Sequence, residues 1–205
     1  VKNSVKIGPI SDKDVEIRAD GPSARIRYLE VIQDQNLTGK GEETLRVQNG
    51  LVQADTNLDV IHIACVERYG RTGNIGKAFV KGFGLKDGGA FAESVAHDTH
   101  NIMVVGTNIR DMTLAVNKVI EMGGGLAVVN RGRVIGDMRL SVGGLITDEL
   151  TGPEASRKID ELENLVVNDL GCKIHSPFMH LSFLALSTSP VWKITDMGLI
   201  DVNNF

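Results

Sequence analysis

Two stretches of this chain carry apolar residues at helical spacing, and most of what surrounds them reads as short strands. That combination requires a layered fold of sheet and helix. In the first stretch Ile109, Met112, Ala115, Val116, Val119 and Ile120 share one face. Asn108 stands at the capping position, Asp111 follows where the helix dipole favours a carboxylate, and Gly123-Gly124-Gly125 ends the run. The second stretch opens with Thr151-Gly152-Pro153-Glu154, a capping-box pattern. Its stripe is Ala155, Ile159, Leu162, Val166 and Leu170, with Gly171 as a left-handed stop. Between the helices, Leu126 to Val129 and Arg133 to Ile135 flank Asn130-Arg131-Gly132 as a hairpin.

Residues 1–55 are expected to be β-rich. Val15 and Ile17, then Ala24, Ile26 and Tyr28, alternate with charged residues at a period of two, and Asp20-Gly21-Pro22-Ser23 is the turn between them. A polar stretch, Gln33 to Glu43, precedes Leu45-Arg46-Val47 and the turn Gln48-Asn49-Gly50. From residue 56 the composition shifts. Val60 to Val66, Phe91 to Ala96 and Ile102 to Gly106 are strand candidates, many glycines punctuate residues 70–89, and Phe178 to Leu186 is a final apolar segment. The expected fold is an α/β (α+β) layered domain over 56–205, with a mixed sheet and flanking helices, preceded by the small β-rich segment.

Composition narrows the function classes. The chain has 205 residues, 42% of them apolar, enough for a core. Its 22 basic residues against 26 acidic ones offer no electrostatic footprint for nucleic acid. No apolar run reaches the ~18 residues of a membrane span. Two cysteines do not make a disulfide framework, and Cys65, inside Val60 to Val66, reads as a buried thiol. A reducing cytoplasm is therefore expected. Val1 in place of Met leaves two readings, a processed protein or a piece of a longer chain.

The densest polar cluster in an apolar setting is His97-Asp98-Thr99-His100, followed by Asn101. Imidazoles and a carboxylate suit a metal or general acid/base chemistry, but the same residues serve equally as a polar corner that satisfies buried backbone. If the segment coils, His97 and His100 share one side of a turn; if it stays extended, they point to opposite faces. Glu67 and Arg68 end an apolar strand just before Thr72-Gly73-Asn74-Ile75-Gly76, a common setting for ligand contacts and equally for plain turns. His175 and His180 flank the last apolar segment and read as part of a loop entering it. Ser182 and Ser187 lack the context of a serine hydrolase, and no phosphate-binding loop is present.

Several segments taken together carry a resemblance: Val66-Glu67-Arg68 with Thr72 to Gly76, Val80-Lys81-Gly82-Phe83-Gly84-Leu85, Ala96-His97-Asp98-Thr99-His100-Asn101-Ile102, Pro177 to Leu184, and Thr195-Asp196-Met197-Gly198-Leu199-Ile200-Asp201-Val202. From about Leu58 to its end the chain resembles the C-terminal region of bacterial adenine deaminases of the amidohydrolase superfamily. Here His180 stands where that family has Thr, and Ser189-Pro190-Val191-Trp192 departs from its usual stretch. The resemblance implies an intact enzyme that hydrolyses adenine to hypoxanthine and ammonia with manganese or iron. It also implies that residues 1–55 are the end of a β-sandwich following a catalytic barrel, and that Val1 is internal to a longer chain. The metal ligands of that family, an H-x-H pair among them, belong to the barrel, which needs about 200–250 residues. None of the five His here is paired as H-x-H. No catalytic residue, metal ligand or cofactor is therefore assigned to this chain. Its expected role is structural, with His97, Asp98, His100, Asn101, Glu67, Arg68 and Asn74 lining a pocket or supporting its loops. The alternatives are a free-standing ligand- or partner-binding module and a self-contained metal hydrolase built on His97 and His100. An incomplete sheet with open edges would favour a homodimer.

Overall fold

A computed structural model describes residues 2–204. The elements are α1 (Asp12–Val15), β1 (Ser23–Val31), β2 (Thr38–Gln48), β3 (Leu51–Val52), β4 (Val60–Val66), β5 (Ile75–Lys81), β6 (Gly89–Glu93), β7 (Ile102–Gly106), α2 (Ile109–Met122), β8 (Gly125–Asn130), β9 (Arg133–Arg139), α3 (Gly152–Asn168), α4 (Pro177–Phe183), β10 (Trp192–Thr195) and β11 (Gly198–Asp201). Nine of the strands form one sheet in the order β3-β2-β1-β5-β4-β7-β6-β8-β9, and β10 and β11 form a separate hairpin. The β1–β5 pairing is parallel and the others in the sheet are antiparallel, so the sheet is mixed, as the sequence pattern requires.

The period of two divides each central strand between two cores. Ile61, Ile63 and Cys65 of β4, Phe91 of β6, Met103 and Val105 of β7, and Leu126 and Val128 of β8 face one side, with α3 and α4. Ala64, Val66, Ala90, Ala92, Ile102, Val104, Ala127 and Val129 face the other, against α2. Burial on both faces explains why β4 is an almost unbroken apolar run. A third cluster, Ile26, Leu45, Val47, Val52, Val60 and Phe79, joins the N-terminal strands to the sheet. Phe91 is fully buried, with Phe83 at 5.6 Å and Phe178 at 5.2 Å, both edge-on. Cys65 and Cys172 are buried free thiols, and burial pushes Cys172 up to about 11.

The helix ends form as their residues dictate. Asn108 Oδ1 accepts the Asp111 N–H at 2.9 Å, and Gly123 closes α2 with φ 74°. Asp111 also reaches across to the Gly132 N–H at 2.7 Å, so one carboxylate holds both the helix start and the β8–β9 turn. At α3, the Thr151 N–H and hydroxyl both donate to Glu154, at 2.8 and 2.7 Å. Arg131 and Gly132 lie in the left-handed region at φ 48° and 77°, the backbone of a two-residue hairpin turn.

Four segments differ from the sequence expectation. Val15 belongs to a single helical turn, because the Ser11 N–H and hydroxyl both donate to Asp14, at 2.7 and 2.8 Å. The polar residues Thr38 to Glu43 are part of β2, which pairs with β1 over nine positions and sets Glu42 against Arg25 and Arg27. The glycine-punctuated stretch contains β5, where Gly76 serves close packing and makes no turn. A Cβ there would lie 1.8 Å from the Thr195 carbonyl oxygen, so only Gly lets β5 meet the β10–β11 hairpin. Finally, Ile159 is exposed at 37%, whereas Leu162, Val166 and Leu170 are buried. Among the described residues no helix is long and apolar enough to cross a membrane.

Candidate functional site

The segment after β4 is organised by Glu67. One carboxylate oxygen accepts the Tyr69 N–H at 2.6 Å, and the other accepts those of Arg71, Thr72 and Gly73 at 3.1 to 3.3 Å. Burial alone would push this carboxyl up. The backbone N–H groups of Thr72, Tyr69, Gly73 and Arg71 outweigh it and hold the group below the ordinary 4.5. Gly70 and Gly73, at φ 67° and 69°, let the chain curl around the side chain. Asn74 closes the loop: its carbonyl accepts the Glu67 N–H at 3.0 Å, and its side chain lies 3.5 Å from Met197 Sδ. A depressed carboxyl stabilises the fold above its unfolded pKa, and that stabilisation is lost as pH falls below about 4.5. Acidification below that value, or Glu67→Gln at neutral pH, is expected to lower the hydrogen-exchange protection of the Arg71 to Gly73 amides, measured against the intrinsic rate at the same pH, severalfold relative to β4. Protection unchanged under both conditions would refute this role.

Arg68 turns inward and is 1% exposed. Its Nη2 donates to the Gly143 carbonyl at 2.6 Å and to Tyr69 Oη at 3.3 Å. Gly144 packs so closely that a Cβ would lie 1.7 Å from Nη1. Nε and Nη1 are buried without a hydrogen-bond partner among the described residues. Tyr69 Oη donates to the Thr99 carbonyl at 2.8 Å, which ties this loop to the 97–101 segment.

That segment coils into a turn, closed by the His100 N–H on the Ala96 carbonyl at 2.6 Å. His97 points to α4, with Nδ1 3.1 Å from Ser182 Oγ and its ring 5.3 Å from Phe183. His100 is half-buried; burial, the Arg68 charge and His97 together lower its pKa. Asp98 is exposed, and Asn101 is buried and donates to Asp196 at 3.4 Å. The structure thus joins Glu67, Arg68, Asn74, His97, His100 and Asn101 through Tyr69, Thr99 and the C-terminal hairpin, and leaves Asp98 facing solvent.

These side chains do not fit a metal centre. Glu67 is saturated by backbone N–H groups, His97 Nδ1 is engaged by Ser182, and among the described residues no three His, Cys, Asp or Glu side chains converge on one point. The arrangement can fix loops and present a polar edge.

Sequence reasoning missed a second feature next to it. A cavity of about 290 Å³ opens between the sheet (Glu93, Leu126), α3 (Ile159, Glu163) and α4 (Phe178, Ser182). Glu93 is 2% exposed at the end of β6. The signal was a single acid within Phe91 to Ala96, and Glu163 lies on the α3 face of Ile159, Leu162 and Val166 at helical spacing.

The chain belongs to the adenine deaminase C-terminal domain family, whose profile matches residues 35–205. It is 64% identical over 205 residues to adenine deaminase 1 of Carboxydothermus hydrogenoformans, covering all of this chain and 34% of that protein. It is 40% identical over 203 residues to the adenine deaminase of Desulforamulus reducens (98% and 34%) and 45% identical over 192 residues to that of Desulfatibacillum aliphaticivorans (94% and 33%). The chain spans about a third of the length of the curated relatives it matches.

Proposed function

We propose that this chain is the non-catalytic C-terminal part of a metal-dependent hydrolase that converts adenine and water to hypoxanthine and ammonia. The observation that carries the reading is the match along the whole chain to one third of proteins named adenine deaminase. In this reading residues 1–55 complete a β-sandwich, residues 56–205 form the C-terminal α/β domain, and manganese or iron is held by a barrel preceding both. The chain alone is then inactive and supplies structure. The Arg68, His97, His100 and Asn101 cluster supports a loop at the mouth of the active site. It is favoured for this because it combines buried, unsatisfied donors and acceptors with an exposed edge at Asp98 and Thr99. The compartment is a reducing cytoplasm, in keeping with two free thiols.

The test compares the chain with its full-length parent. The parent is expected to release ammonia from adenine and the chain alone to release none; release by the chain would sink the reading. In the parent, His97→Ala with His100→Ala is expected to lower kcat/KM about tenfold. Unchanged kinetics and unchanged purine affinity would remove the pocket role. Homodimerisation belongs to the same proposal, and light scattering of a monomer at working concentration would count against it.

A further inference from the structure

We propose that the cavity between the sheet, α3 and α4 binds a small planar organic cation with an amidine-type N–C–N edge, held by Glu93 with Glu163 as a second negative charge. This goes beyond the deaminase reading and does not depend on it.

Three observations carry it. First, the space is a cleft of the right size: about 290 Å³, the small end of ligand pockets, with room for one substituted ring. Second, its walls are apolar, with Val95, Leu126, Leu140 and Phe178 forming the interior and Ile159 and Met179, 37% and 50% exposed, at the mouth. Third, Glu93 faces this interior at 2% exposure, and its Oε1 is buried without a hydrogen-bond partner among the described residues. An unpaired buried carboxylate is costly, and a bound cation removes that cost.

The protein does not fill this role itself. Lys158 of α3 pairs with Glu161 at 3.3 Å. Both ring nitrogens of His180 are committed to backbone, Nε2 to the Asp34 N–H at 3.0 Å and Nδ1 to the Ser176 carbonyl at 3.1 Å. His97 Nδ1 lies 3.1 Å from Ser182 Oγ, which donates to the Met179 carbonyl at 2.7 Å. In keeping with this geometry, burial and the Glu163 charge hold the Glu93 carboxyl well above the ordinary range.

The chemistry of the walls selects the class. Two carboxylate oxygens in one plane match two parallel N–H donors of an amidine or guanidine. A flat, weakly hydrated cation keeps an apolar body against Leu126, Leu140 and Phe178, whereas an ammonium ion is strongly hydrated. A divalent metal ion needs more oxygen ligands than two carboxylates provide.

The experiment titrates the chain with benzamidine and with its uncharged isostere benzamide, followed by calorimetry and by methyl NMR at Val95, Leu126 and Leu140. Saturable benzamidine binding is expected, with benzamide about tenfold weaker or more and the shifts confined to those methyls. Glu93→Gln should weaken benzamidine about tenfold. Glu163→Gln, at a half-buried helix position, should weaken it severalfold and serves as the deciding variant if Glu93→Gln misfolds. The proposal is overturned by absence of saturable benzamidine binding into the millimolar range. Equal affinity for benzamide, shifts outside the cavity, or unchanged affinity in either folded variant would overturn it too.

Discussion

Phe91→Ala is expected to remove about 3–5 kcal/mol of stability, a large fraction of what holds a domain of this size folded. The ring is fully buried and sits edge-on between Phe83, just after β5, and Phe178 of α4. Removing it deletes the apolar contact area, breaks two aromatic pairs and opens a void that three separate elements must close together. Because Phe178 anchors α4, and α4 carries Ser182 against His97, the loss should reach the 97–101 turn as well. Denaturant titration of wild type and variant measures the energy, and Phe91→Leu is the control, expected to lose much less because it keeps most of the volume. A loss below about 1 kcal/mol for Phe91→Ala would mean that the interior relaxes around the gap and that the three rings do not act as one unit.

The His62 contribution to stability should also fall as pH drops from 7 to 4. His62 is buried on β4, its ring is 4.8 Å from Phe79, and its Nδ1 has no partner among the described residues. Burial lowers its pKa from 6.5 to about 4. Below pH 6.5 the unfolded chain takes up this proton before the folded one does, so stability declines as pH falls through 6.5 and levels off near 4. The size is about 3 kcal/mol over that interval. Glu93 works in the opposite sense: its folded pKa is raised, so its contribution weakens as pH rises above 4.5. The measurement is therefore a difference, wild type against His62→Phe, by denaturation across pH 4 to 7. The variant should lack the histidine's part of the decline, and parallel profiles would refute the assignment.

The parts of the fold that could be read from sequence are those whose signal is local. β4 and β7 fall at the expected bounds because both faces are buried and the apolar run is continuous. The two long helices start at their capping residues. β5 was hidden because Gly76 owes its place to Thr195, far along the chain, and a glycine required by tertiary packing looks like a turn. The Thr38 to Glu43 part of β2 was hidden because its outward residues are polar and its partner, not its composition, makes it a strand. In the candidate site, the cluster at 97–101 was visible as polarity in an apolar neighbourhood. The role of Glu67 was not, since its partners are backbone N–H groups that carry no residue-type signature. Glu93 was readable in principle, as a lone acid in a buried strand, and Glu163 only once α3 is placed beside it.

The β1–β5 pairing also sets an order of assembly. β1 and β2 are joined by a short connection and pair over nine positions, so the hairpin can zip soon after it is made. The seam to β5 has only three register pairs, Tyr28–Phe79, Leu29–Val80 and Glu30–Lys81, between residues about fifty positions apart. It is parallel, and it closes a long loop before any reward is collected. The N-terminal hairpin and the β4–β9 body are therefore expected to form as separate kinetic units, with a late docking step that completes the third apolar cluster around Val60 and Phe79.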